Sequence, residues 1–127
     1  MSMKSPLGKA LGLGSAKEGT EHWWTQRVSA VAMAPLMLWF VISMLVLPAY
    51  DYGTVSAWLA APVNAVLMLL ASFTLLYHSA LGTQVVIEDY VKGPAKVVTL
   101  ILVRFAYFIL GAAAIFAILR VSLGAPS

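Results

Sequence analysis

Tyr77–Lys92, YHSALGTQVVIEDYVK, is the stretch on which the reading of this chain turns. It begins inside an apolar run with one histidine, His78, and closes on Asp89, Tyr90 and Lys92. As a helix rising ~1.5 Å per residue, it sets His78 and Asp89 about 16 Å apart along the axis. That spacing puts an imidazole well inside a membrane and an acid–phenol pair at its surface. An ionisable group in lipid is costly, so His78 is a functional candidate by default.

Working outward, the whole chain has the composition of a membrane protein. Of its 127 residues, 61% are hydrophobic and only 10% charged, with a mean hydropathy of +0.90. A soluble domain of this size needs far more surface charge, so the chain reads as one compact, all-α integral membrane domain. It has no cysteine. Disulfides, iron–sulfur ligation and covalent haem attachment by this chain are thereby excluded. The net charge of +3 is small and scattered, which argues against nucleic acid and leaves the basic residues as topology signals.

Residues 1–21 carry Lys4, Lys9 and Lys17 with little apolar periodicity, and are expected to form a mobile arm with a short interfacial turn near Pro6–Leu13. No apolar segment of signal-peptide type occurs there. His22, Trp23 and Trp24 follow, and paired tryptophan at the edge of an apolar run reads as an interfacial belt, with the lining of a ligand site as the alternative. The first span is placed at 26–47, long enough for a ~30 Å hydrocarbon core. Arg27 falls in its expected first turn, where a cation opposes the helix dipole and needs another source of favour: headgroups, topology or an anionic ligand. Pro35 predicts a kink.

Residues 48–61 read as a loop with Asp51 and no basic residue, and Pro62 as a helix start. The second span is placed at 63–87, the second loop at 88–95 and the third span at 96–121. Gly111–Ala114 offers a patch of small residues that another helix can approach closely. Arg104 lies about two turns into the third span; it either snorkels to the surface or pairs with an anion in the bundle. Lys and Arg gather before span one and between spans two and three. The positive-inside rule then puts the N-terminus and the 88–95 loop in the cytoplasm and the C-terminus outside. The expected architecture is a cytoplasmic arm, 1–21, and an up-down-up anchor domain of three spans, 22–127.

Three roles compete for His78. It can be a structural histidine bonded to a neighbouring helix. It can belong to a proton relay, although no acid lies within the spans to continue one. It can be an axial haem ligand, since neutral imidazole binds iron. Gly82, four residues on, shares its helix face and leaves room for a flat ring. Ser79 and Ala80 are also small. His22 lies at or outside the surface, about 12 Å or more from the depth of His78, judged from the helical rise. A bis-histidine haem must therefore be shared with another chain.

Over about residues 19–122 the sequence resembles the hydrophobic membrane-anchor (D-type) subunits of bacterial succinate dehydrogenase, the succinate:quinone oxidoreductase of respiratory complex II. The resemblance rests on three spans, Arg27 opening the first, and His78 in the second followed by Asp89, Tyr90, Val91 and Lys92. It implies a multi-pass protein of the bacterial inner membrane, in the electron-transport chain and the tricarboxylic acid cycle, that catalyses nothing alone. It implies a b-type haem shared with a second membrane subunit, the cytochrome b subunit, with His78 as one axial ligand. It implies a ubiquinone site in which Tyr90 bonds a quinone carbonyl and Asp89 influences the site. Arg27 would lie near the haem propionates and the quinone. FAD and iron–sulfur clusters would reside in a flavoprotein and an iron–sulfur subunit docked on the cytoplasmic face. Quinone reduction takes up protons, so a site near water suits it; a phenol is a good neutral donor to a carbonyl, and Asp89 can order water.

There are departures from the pattern. Where relatives can place a histidine six residues before the arginine, this chain has Glu21, with His22 next; Gly93 is inserted between Lys92 and Pro94; and Arg104 has no counterpart. The neighbouring alternatives are the anchor of a fumarate reductase or another quinone-linked dehydrogenase. From a different class, the alternative is a non-redox structural membrane protein in which His78 merely packs.

Overall fold

The structure is a computed structural model that describes residues 6–7 and 17–124. Most of the expected arm and its turn lie outside the described residues; Pro6 and Leu7 are helical. Among the described residues all further regular structure is helix: α1 Lys17–Val46, α2 Tyr52–Ala60, α3 Pro62–Tyr90 and α4 Pro94–Ser122. Three stretches are long and apolar enough to cross a membrane: Gly19–Val46, Pro62–Tyr90 and Pro94–Ser122.

Two boundaries differ from expectation for physical reasons. The helix of span one begins at Lys17 rather than Gln26, and runs unbroken through Pro35. Arg27 is therefore not in a first turn, and the conflict with the helix dipole does not arise. Its guanidinium instead lies 5.3 Å from the centre of the Trp23 ring, one turn back, in a cation–π contact. The polar start of α1 had masked its helicity, because apolar periodicity reports burial and not helix formation.

The 48–61 stretch holds a helix as well as a loop. Asp51 caps α2: its Oδ2 accepts from the Thr54 backbone N–H at 3.0 Å and its Oδ1 from the Thr54 hydroxyl at 2.7 Å. The side-chain bond from Thr54, then the backbone bond from Thr54, holds the Asp51 carboxyl below its usual range. Trp58 of α2 stacks on Trp39 of α1, with centroids 5.6 Å apart, and its carbonyl accepts from Asn64 Nδ2 at 2.8 Å.

At the opposite end of the spans, the connection from α3 to α4 is only Val91–Gly93. Gly93 has φ +69°, a left-handed conformation that a side chain disfavours. Its carbonyl accepts from Lys96 N at 3.1 Å, and Pro94 starts α4. Gly93 is thus what permits so tight a turn.

The three spans stand in a row. α3 packs against α1 on one side and α4 on the other, and no Cα of α1 lies within 8 Å of one in α4. Very little is buried: Leu59, Ala71, Ile87 and Ile118 are the buried hydrophobic residues among those described. Large apolar side chains such as Phe73, Phe105, Phe108 and Phe116 point outward. In water this would be ruinous; against lipid tails or apolar partner helices it costs nothing.

The candidate site on the α1–α3 seam

His78 faces α1. Its Nδ1 lies 2.9 Å from Ser29 Oγ, and Ser29 Oγ lies 2.9 Å from the carbonyl oxygen of Gln26. Ser29 is only 7% exposed. Beside this contact is a cavity of about 410 Å³ lined by Trp23, Gln26, Arg27, Ala30 and His78. Four of those residues come from α1, at spacings of three, four and seven, which is one face of a helix. Gly82, one turn beyond His78, sits against Gln26: a Cβ added there would lie 3.8 Å from Gln26 Nε2. That is an ordinary contact, so packing against α1 does not by itself demand a glycine.

Arg27 and Trp23 are exposed, held together by the cation–π contact and open at the mouth of the cavity. His22, one turn before Gln26, has a buried Nε2 with no hydrogen-bond partner among the described residues. A buried polar nitrogen without a partner is costly unless something absent from this chain completes it. His22 and Ser29 are seven residues apart, about 10 Å along the helix, so His22 does not share the depth of His78.

Tyr90 and Asp89 lie elsewhere. They end α3, and Tyr90 is 82% exposed, with no hydrogen bond to other described residues. His78 and Tyr90 are twelve residues apart, about 18 Å along the axis. The chain therefore gathers Arg27 with His78 and leaves Tyr90 and Asp89 as a separate, open pair. Arg104 is exposed on α4, without a hydrogen bond or ion pair among the described residues. Among the described residues no three His, Cys, Asp or Glu side chains gather as a metal site. His78 can accordingly supply one ligand to a centre completed by groups from elsewhere.

The family model described as succinate dehydrogenase/fumarate reductase transmembrane subunit matches residues 1–119. The chain belongs to that family. The succinate dehydrogenase hydrophobic membrane anchor subunit of Paracoccus denitrificans is 34% identical over 122 residues, covering 95% of this chain and 94% of its own. The subunit of the same name from Rickettsia bellii is 38% identical over 89 residues, 70% of this chain and 71% of that one. The succinate dehydrogenase membrane anchor subunit of Reclinomonas americana is 32% identical over 92 residues, 69% and 77% of the two chains. Membership of this family explains the scant core: a membrane anchor of succinate dehydrogenase associates with the catalytic subunits of a complex, and its outward faces are made for lipid and protein neighbours.

Ser29 and Gln26 went unnoticed in the sequence, because a serine in an apolar span reads as a small neutral residue. Trp23 reads first as a belt residue with the lining of a ligand site as the alternative, and the spacing Trp23–Arg27–Ala30 is the signal that places it with Arg27 on the cavity.

Proposed function

We propose that this chain anchors succinate dehydrogenase in the bacterial inner membrane, shares a b-type haem with a second membrane subunit through His78, and contributes Tyr90 and Asp89 to ubiquinone reduction. The observation that carries the reading is the cavity in which His78 and Arg27 meet. It offers an imidazole for iron and a guanidinium for an anionic edge. When bound, the haem would supply a one-electron store.

Within this arrangement each residue has its own task. His78 would hold the haem iron. Arg27, fixed over Trp23, would offset propionate charge or stand beside the quinone. Tyr90 donates its hydroxyl proton to a quinone carbonyl, and Asp89 orders water for proton delivery. The exposure of Tyr90 suits a site whose other wall belongs to the iron–sulfur and cytochrome b subunits, with FAD farther off in the flavoprotein. The basic residues before α1 and around the α3–α4 connection favour a cytoplasmic N-terminus and 88–95 stretch, and a periplasmic C-terminus.

Two substitutions in the purified complex test the halves separately. His78→Ala keeps the helix, alanine being the best helix former. It should abolish the haem or turn it high-spin in the optical spectrum; an unchanged low-spin spectrum sinks the ligand assignment. Tyr90→Phe should leave haem content normal and lower succinate:ubiquinone activity several-fold, as expected for a lost hydrogen bond of roughly 0.5–1.5 kcal/mol. Dye reduction upstream of the quinone should be unaffected. Wild-type quinone kinetics would leave Tyr90 as an interfacial anchor only.

A further inference from the structure

Ser29 Oγ stands 2.9 Å from two atoms at once, the Gln26 carbonyl oxygen and His78 Nδ1. A hydroxyl has one proton. If Ser29 gave it to Nδ1, the Gln26 carbonyl and the hydroxyl oxygen would face each other as two acceptors with no hydrogen between them. Both contacts are hydrogen bonds only if Nδ1 brings its own proton. Ser29 then donates to Gln26 and accepts from His78. With the proton on Nδ1, the lone pair of the neutral ring is on Nε2.

We infer that Ser29 is a positioning residue for His78: it fixes the Nδ1–H tautomer, stops the ring rotating and leaves Nε2 as the iron-binding atom. This rests on the proposal that His78 ligates haem. Burial favours the role, because a 7% exposed hydroxyl has no water to exchange with, and its donor is already committed to its own helix. An acceptor on Nδ1–H makes the imidazole a stronger electron donor, which stabilises the oxidised iron.

The test is redox titration and electron paramagnetic resonance of the haem in purified complexes carrying Ser29→Ala, Ser29→Thr or His78→Ala. In Ser29→Ala the haem midpoint potential should rise, and the low-spin signal should shift or broaden as the ring is freed. Ser29→Thr retains a hydroxyl and should return both readouts toward wild type. An unchanged potential and signal in Ser29→Ala overturns the role of Ser29. If Ser29→Ala loses the haem altogether, recovery of a low-spin haem in Ser29→Thr supports the role, and failure to recover it overturns it. His78→Ala separates the two claims: an unchanged low-spin spectrum there removes the haem reading itself, whereas its loss alongside a silent Ser29→Ala removes only Ser29.

Discussion

Two hydroxyl contacts join α3 to the spans on either side of it, and they are built alike. On the α4 side, the Thr83 hydroxyl donates to the Ser79 carbonyl at 2.8 Å and meets the Tyr107 hydroxyl at 2.8 Å. On the α1 side, the Ser29 hydroxyl donates to Gln26 and meets His78. In each case a hydroxyl bonds a carbonyl of its own helix and offers its lone pairs across the seam. The difference lies in what the partner has left. Once Tyr107 has donated its single proton, it has no further donor. The imidazole of His78 keeps a second nitrogen, and His78 lines a cavity. On the Tyr107 side, Gly111 sits against Leu76 of α3, whose Cδ1 would be 3.9 Å from an added Cβ. Beside His78 there is a cavity instead. The same device closes one seam and equips the other.

Substitutions at the two seams should therefore separate cleanly. The largest effect is expected at Arg27, the cation of the equipped seam. If His78 and Arg27 hold a haem as proposed, Arg27→Leu removes a positive charge beside it, which favours the oxidised iron. The midpoint potential should fall by tens of millivolts, at ~59 mV per tenfold change for one electron; an unmoved potential would take Arg27 out of the haem site. Next comes the Tyr107 seam. Tyr107→Phe deletes one hydrogen bond between membrane helices, worth about 0.6 kcal/mol and rarely above ~1.7. Thermal stability of the complex should drop slightly while the haem spectrum and potential stay put, and a spectral change would break the division between the seams. Smallest is Arg104, three residues before Tyr107. If it snorkels, Arg104→Lys should be silent in activity and stability, since both side chains reach the surface. A strong loss would indicate a bidentate anion contact that lysine does not reproduce.

These contrasts also show what the sequence could carry. Hydropathy located the three spans, because lipid imposes one simple requirement along their length. His78 stood out because an imidazole in such a span is rare, and Arg27 because charge is scarce here. The start of α1 at Lys17 was illegible, since its first two turns are polar and their helicity comes from continuity with the span. α2 was hidden for a related reason: a nine-residue helix between proline-flanked ends looks like loop until the Asp51–Thr54 cap is seen. Ser29 and Thr83 were illegible for another reason: small hydroxyl residues acquire a role only from the side chain opposite, and that pairing is set by helix rotation.

The row-like order of the spans has a consequence for how the chain is made. Among the described residues every tertiary contact between spans joins neighbours in sequence: α1 with α3, then α3 with α4, with α2 folded in at one end. Contacts between adjacent segments close early and without a search, the feature that makes low-contact-order chains fast. Synthesis delivers the N-terminal part first. The Ser29–His78 seam can thus be complete before the residues of α4 have left the ribosome, and the last span then packs against both α3 and α2. The side of α3 that bears His78 is formed before that last span is in place.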